Sequence, residues 1–436
     1  MNPDWPHAPL VELADIRVSN VDKKVHPAET PVRLCNYMDV YSNMYVTRQL
    51  VFMEGSASPS ELERFTLRRG DVIITKDSET PFDIGIPTVI VGDIDRLVCG
   101  YHLALIRPKA GALDSVFLAK QLATPRVARY FATRATGSTR YGLPTSAIES
   151  VTIPRPPKPE QEKIAEVLIT ADRAIEQAEA LIDKQQRINT GLMQVLLTRG
   201  IDDHGSIRSE RTHEFKASPI GRIPSVWDVR DLQDVVDEDI TYGIVQAGPH
   251  LEGGIPYIRT GDMAGDVIEV DKLLRTSRAI AKAYKRSEVH VGDIVFALRA
   301  TVGKVLPVTE AIDGANLTQG TAKISPCKGV VSEFLLWMMR TSTVEAQIRF
   351  HQKGTTFMEV TLSDLRRIKI AIPRSNAEQW RIANVLSKQD ALTADYRRIL
   401  DKLRATREAL AQDLLTGRRR VTPLMHAASQ VLKQVC

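Results

Sequence analysis

Cysteine is scarce: four thiols in 436 residues, at positions 35, 99, 327 and 436, with no Cys-x-x-Cys pair. That spacing argues against a zinc knuckle or a disulfide framework and fits a reducing, cytoplasmic location. Long apolar runs are missing too. The densest, Phe-Leu-Leu-Trp-Met-Met from Phe334, is far shorter than the roughly 20 residues that span a bilayer, so no membrane contact is expected. The opening MNPDWPHAPL has no basic stretch followed by an apolar core, which gives no sign of a secretory leader. Nine histidines are scattered without metal-ligand spacing. No G-x-x-x-x-G-K-S/T phosphate loop, H-E-x-x-H or G-x-S-x-G occurs. The expectation is therefore no catalytic residue and no metal site. Neither charge sign dominates: 58 Lys and Arg face 53 Asp and Glu, a net +5. This permits contact with a polyanion without requiring it, and clusters such as Arg68-Arg69, Arg366-Arg367 and Arg418 to Arg420 serve equally well as solvated faces.

What is present is a repeat. Ile153-Pro154-Arg155 recurs as Ile372-Pro373-Arg374. Glu160-Gln161, Ile164-Ala165 and Val167-Leu168 recur as Glu378-Gln379, Ile382-Ala383 and Val385-Leu386. Leu196-Leu197-Thr198 returns as Leu414-Leu415-Thr416, and Gly70-Asp71-Val72-Ile73 as Gly292-Asp293-Ile294-Val295. Gly137-Ser138-Thr139 is answered by Gly354-Thr355-Thr356. The offset stays between 217 and 222 residues, as small loop insertions would cause. The chain is a tandem duplication.

Each half opens as a mixed globule and closes as a long helix. Strands are expected over 32–41, 71–76 and 98–107, and over 255–259, 293–298 and 321–324, with one helix closing each globule at 115–134 and 332–350. The long helices begin with acid in the first turn, Glu160 and Glu162 in one and a Ser375-x-x-Glu378 capping box in the other. They stop at Gly200 and Gly417. A mostly apolar 4-3 spacing runs through Val167, Leu181, Gln185, Ile188 and Leu192, and through Val385, Gln389, Leu392, Tyr396, Ile399, Leu403 and Leu410. Such a seam predicts a coiled coil between the two copies. The fold class is α+β: two similar domains (1–157 and 227–375), two long antiparallel helices (158–200 and 376–417), a linker (201–226) and a tail (418–436). At 1.5 Å per residue each helix is about 60 Å long. Two similar heads on a fixed ruler suit a target with two half-sites, such as duplex DNA.

The sequence resembles the specificity subunits of Type I restriction–modification systems over nearly its full length. The resemblance rests on TYGIVQAG from Thr241, GIPYIRTGDM from Gly254, GDIVFALRATVGKV from Gly292, GANLTQGTAKISP from Gly314 and KGTTFMEVTLSDLRRIKIAIP from Lys353. Two Glu-Gln-started helices ending in Leu-Leu-Thr reinforce it. It implies two target recognition domains, each reading half of a bipartite, asymmetric site in double-stranded DNA. It also implies two modification (adenine methyltransferase) subunits bringing S-adenosylmethionine, and two restriction (translocase and nuclease) subunits bringing ATP and Mg, with no cofactor on this chain. Consistently, no Asn/Asp-Pro-Pro-Tyr/Phe loop occurs: Asn2-Pro3-Asp4-Trp5 lacks the second proline. A coiled-coil adaptor, a self-sufficient nuclease or methyltransferase, and the specificity chain of a related methylation-based defence system are the alternatives.

Arg or Lys reads guanine, Asn or Gln reads adenine, and Ser or Thr is less selective. In the second head this selects Tyr242, Gln246, Arg259, Thr260, Arg299, Lys304, Gln319, Thr355 and Thr356, with Gly243, Gly303 and Gly320 allowing close backbone approach. In the first head it selects Lys76, Ser138, Thr139, Arg140 and Tyr141, with Gly137 read as a helix C-cap.

Overall fold

The computed structural model describes residues 5–352 and 358–425. The chain divides into two compact units, residues 1–178 with 399–436 and residues 179–398. Each unit thus holds one globule and a segment of both long helices.

In the first unit a five-stranded sheet runs in the order Ala14–Val18, Leu103–Pro108, Val72–Thr75, Pro87–Ile90, Tyr45–Val46. A three-stranded sheet orders Met53–Ala57, Thr30–Cys35 and Leu97–Cys99, the last pair parallel. Strand 30–35 ends where Asp39 accepts from the Asn36 N–H at 2.7 Å and starts a helix at Tyr37–Tyr41. The expected strand 32–41 therefore stops early. The expected strand 98–107 is two strands, broken at Gly100–His102, where His102 has φ +70°. Cys35 and Cys99, distant in sequence, are register partners in the parallel pair; both are unbridged and buried, and burial raises both thiols. The closing helix is also two, Ser115–Leu122 and Pro125–Ala132, because Pro125 lacks an N–H and holds Thr124 extended.

The second unit repeats the plan. Its four-stranded sheet orders Thr241–Tyr242, Thr321–Ile324, Ile294–Ala297 and Val305–Pro307, and its three-stranded sheet Leu274–Thr276, Ile255–Ile258 and Asn316–Leu317, again with one parallel pair. The closing helix splits into Ser332–Met339 and Ser342–His351, since the Thr341 side chain caps the Val344 N–H. A first strand pairs with the strand entering the long helix in both units: His7–Pro9 with Thr152–Pro154, and Trp227–Asp231 with Lys369–Pro373. The linker is ordered, with a hairpin of Phe215–Ser218 and Gly221–Pro224.

The long helices span Lys158–Arg199 and Asn376–Leu415. The repeated Glu-Gln at their starts has a structural cause. Gln161 Oε1 accepts from the Asp114 N–H (2.8 Å) while its amide donates to the Pro156 carbonyl (2.9 Å). Gln379 does the same with Val331 (2.8 Å) and Pro373 (2.9 Å). Each glutamine fastens a helix start to its globule. The glutamates turn to the end of the other helix. Arg420 donates to Glu160 from Nε and Nη2, both at 2.6 Å. Glu378 accepts from Arg208, from the Ile201 N–H and from Trp227 Nε1. Only half of the expected capping box forms: the Ser375 hydroxyl accepts from the Glu378 N–H, but the Glu378 carboxylate is spent on Arg208. Gly200 must be glycine here, because a Cβ would lie 2.2 Å from Glu378 Oε1.

The helix segments pair antiparallel within each unit, through Asp172 and Arg407 in the first and Gln185 and Gln389 in the second. The expected seam is one residue out at alternate positions. Ile182, Thr393 and Leu400 are buried, whereas Ile188, Val385, Leu392 and Ile399 are exposed, Ile399 by 49%. Leu181, Tyr396 and Leu403 are half-buried, and Val167, Leu192 and Leu410 pack on the globule cores. The reason is chemical. Gln185 and Gln389 lie on the expected spacing and meet each other, whereas Thr393, Asp172 and Arg407 occupy seam positions off it and bond to one another or to the backbone, so following apolar side chains drifts to their neighbours. Ile164, Leu168, Leu414 and Leu415 enter the first core, and Leu196, Leu197, Ile382 and Leu386 the second. These are the residues the repeat preserves.

Candidate nucleic-acid interface

At one edge of the second unit four loops are tied together by their backbones. Ile244 and Thr318 form a parallel bridge, Gln319 donates to the Ile244 carbonyl (3.0 Å), Thr318 to Ile258 (3.1 Å) and Leu298 to Gly320 (2.8 Å). This brings Gln246, Arg259, Thr260, Arg299 and Gln319 to neighbouring strand ends. Gln246 and Arg299 are exposed, and Thr260 and Gln319 partly so. Tyr242 is half-buried and packs against the core. Arg299 bonds to Glu359 through Nε (2.8 Å), which keeps its terminal nitrogens for a second partner. Arg259 is held in a fork by Asp262 (3.1 and 2.8 Å), a bond that raises its pKa.

Lys304 lies apart from these. It ends the hairpin that turns at Ala300 (φ +57°) and Gly303 (φ +86°), and donates to Asp266 at 2.9 Å. Asp266 also meets Arg397 of the second long helix at 3.2 Å. The Lys304 bond holds this carboxyl below its ordinary range against the opposing effect of burial. Lys304 is thereby directed to the helix rather than to the strand ends. The glycines serve internal packing: a Cβ on Gly243 would sit 1.8 Å from the Leu317 carbonyl oxygen, and one on Gly320 3.0 Å from Thr260. Thr355 and Thr356 lie outside the described residues.

The equivalent place in the first unit is built on Lys76 to Ser78. Tyr141 and Gly142 pair with Ser78 and Asp77, and the Lys76 N–H donates to His102. Ser138, Thr139 and Arg140 are exposed in the hairpin closed by Thr136 and Gly142. Gly137 belongs to that hairpin and is not a helix C-cap. The helix ends at Ala132 with Thr133 as its cap, and at Gly137 (φ +141°) a Cβ would strike the Arg140 carbonyl at 2.0 Å. Sequence reasoning missed Asp77 and His102. His102 Nδ1 lies 2.6 Å from Asp77 Oδ2, and Lys76 Nζ 3.2 Å from Asp77 Oδ1. The signal was Gly100-Tyr101-His102, which interrupts an otherwise apolar run.

The model of the Type I restriction modification DNA specificity domain matches residues 52–184 and 224–404, more than half of the chain. The chain belongs to that family. The first match of this specificity-family chain runs from within a globule into a long helix, and the second from the end of the linker hairpin through the other globule into its helix. A provisionally named MjaX specificity subunit of a type I restriction enzyme from Methanocaldococcus jannaschii is 26% identical over 96% of this chain and 94% of its own length. The EcoBI specificity subunit of Escherichia coli is 24% identical over 63% of this chain and 58% of its own length. The crystal structure of a Type-I restriction-modification system S subunit from M. genitalium superposes with a TM-score of 0.60 at 16% identity, covering 95% of this chain and 96% of that one, a likeness of fold. Among the described residues no His, Cys, Asp or Glu group could hold a metal ion, and no helix is long and apolar enough to cross a membrane.

Proposed function

We propose that this chain is the non-catalytic recognition subunit of a Type I restriction–modification complex. Each globule reads one half of a bipartite site in double-stranded DNA. The paired helices set the gap and dock two adenine methyltransferase subunits, with two restriction subunits completing the assembly. S-adenosylmethionine, ATP and Mg act on those partners. The observation that carries the reading is the duplication itself. Two globules of similar topology, the first with one added edge strand, are mounted on the long helices through equivalent Gln161 and Gln379 bonds, and they carry different polar side chains at one matched edge. Different side chains on a common frame suit half-sites of different sequence.

Comparing adenine methylation in the host genome with and without this gene identifies the site. Duplex carrying it is expected to bind, and scrambling either half to abolish specific binding. Equal binding to scrambled duplex would favour the adaptor reading, and turnover by the purified chain would favour a self-sufficient enzyme. Inserting one heptad after Ala178, with its counterpart in the second helix, is expected to lengthen the accepted gap. An unchanged gap refutes the ruler.

A further inference from the structure

The first unit carries a ridge of partly exposed aromatic and imidazole groups beside the Lys76–Ser78 edge. Tyr37 and Tyr41 stack, with ring centroids 5.6 Å apart and planes 17° apart. Tyr41 donates to Asp83 at 2.8 Å, and Tyr37 lies beside the Ser78 side chain. Ser78 is paired with Tyr141. Asp77, the next residue, holds His102, and the Tyr101 ring packs on the imidazole at 3.9 Å while remaining 49% exposed. These groups follow one another along the edge from Tyr41 to Tyr101.

Three features distinguish this ridge from ordinary surface. A carboxylate can only accept, so Asp77 fixes the proton on His102 Nδ1 and leaves Nε2 for another partner. His102 is in the left-handed region, one of three non-glycine residues there among those described. A second, Ala300, adjoins Arg299 at the matching edge of the other unit. Such conformations cluster where geometry serves function. Finally, Asp77, Glu79 and Asp83 lie along the ridge, and acids disfavour phosphates. Lys76 and His102 compensate Asp77, so the ridge suits base edges and base faces better than backbone.

We propose that Tyr101 and His102, positioned by Asp77, form a base-contacting element for double-stranded DNA in the first unit. The inference rests on the recognition function proposed above and assigns residues to one of its two readers. Tyr101 would offer a ring face to a base or a thymine methyl, and His102 Nε2 a hydrogen bond to a base edge. Asp77 is a positioning residue acting through His102.

The test uses the full-length chain and duplexes that carry the mapped site with each base pair changed singly, read by fluorescence anisotropy. Tyr101→Ala and His102→Asn are chosen because Tyr101 is half exposed and asparagine tolerates the left-handed backbone. Each variant is expected to lose discrimination of about tenfold or more at one or two positions of a single half-site. The other half-site and the thermal transition should be unchanged. Wild-type discrimination at every position in both variants would overturn the proposal. So would variants that read DNA normally but fail to assemble with the methyltransferase subunit, which would make the ridge a protein contact. If the wild-type chain itself discriminates nowhere, the recognition reading fails first, and that result is distinct from failure of the ridge alone.

Discussion

The Glu378 carboxylate offers the sharpest test of how the second unit holds together. Its side chain is 3% exposed and that of Arg208 9%. It accepts two bonds from Arg208, one from the Ile201 N–H at 3.1 Å and one from Trp227 Nε1 at 3.1 Å. Arg208→Ala leaves a buried charge with two neutral donors. Breaking such a pair from one side costs about 3–5 kcal/mol. For a unit of this size, at about 2–4 °C per kcal/mol, Tm of the second unit should fall by roughly 6–20 °C. Differential scanning calorimetry reads the transition, and hydrogen exchange assigns it to residues 179–398. The double variant Arg208→Met with Glu378→Gln removes both charges and should recover most of the loss, since no ion is left buried without its partner and the glutamine oxygen still accepts from Ile201 and Trp227. A single-variant shift below about 2 °C, or single costs that simply add within roughly 0.5 kcal/mol, would refute the buried pair. The counterpart Arg420→Ala should cost less, because Arg420 is 40% exposed and it is the side that shields Glu160, so its truncation opens that carboxylate to water.

Leu400→Ala should cost about 2–5 kcal/mol in urea unfolding, whereas Ile399→Ala should stay within roughly 0.5 kcal/mol; the reverse order would restore the seam read from the sequence. Asp172→Asn removes the charge and one of the two oxygens that accept from Lys120, Tyr45 Oη (2.6 Å) and Arg407 Nε (3.0 Å), leaving the Lys120 cation buried without a counter-ion, and should cost about 3 kcal/mol in the first unit by hydrogen exchange. Burial alone would raise Asp172, but those three donors bring it net below the ordinary carboxylate range. Its contribution is therefore present above about pH 4 and lost on further acidification, and the acid limb should flatten in Asp172→Asn. Gly243→Ala drives a methyl group into the Leu317 carbonyl and should cost about 3 kcal/mol in the second unit.

The duplication and both long helices were legible because they rest on features that recur: Glu-Gln, Ile-Ala, Val-Leu, Leu-Leu-Thr and a terminal glycine. The breaks were not. Pro125 was visible yet read through, since apolar spacing on both sides continues across it, and the Asn36–Asp39 start needed a local bond to outweigh a β-like run. The seam slipped because Thr393 is polar and buried, and apolar spacing passes to Leu392 beside it. At the candidate interface, residue type pointed to Arg299, Gln246 and Gln319, and the folded chain brings them to neighbouring strand ends. It could not show that Lys304 is engaged by Asp266, or that Asp77 and His102 meet across 25 residues. Arg208 and Arg420 reach matched glutamates from positions outside the repeat, so no self-comparison would align them.

The mounting bonds also bear on how a head could be exchanged. Gln161 and Gln379 reach their globules through backbone N–H and carbonyl groups, Asp114, Ala112 and Pro156 in one and Val331, Gly329 and Pro373 in the other. Such bonds survive any change of side chain in the globule. The second bolt does not. In the first unit Asp172 on the helix depends on Lys120 and Tyr45, while in the second Trp337 Nε1 donates to Ser387 at 3.0 Å. A chimera that replaces residues 1–157 with another family member's head keeps the glutamine bonds but strands Asp172 whenever the new head lacks those two donors. Arg407 alone then faces a half-buried carboxylate. Such a chimera should gain about 1–3 kcal/mol from Asp172→Leu, a change that costs the parent chain about 3 kcal/mol or more. Opposite signs in parent and chimera, measured by urea unfolding, are the expected result. The same sign in both would show that Asp172 is satisfied by the helices alone and takes no part in seating the head.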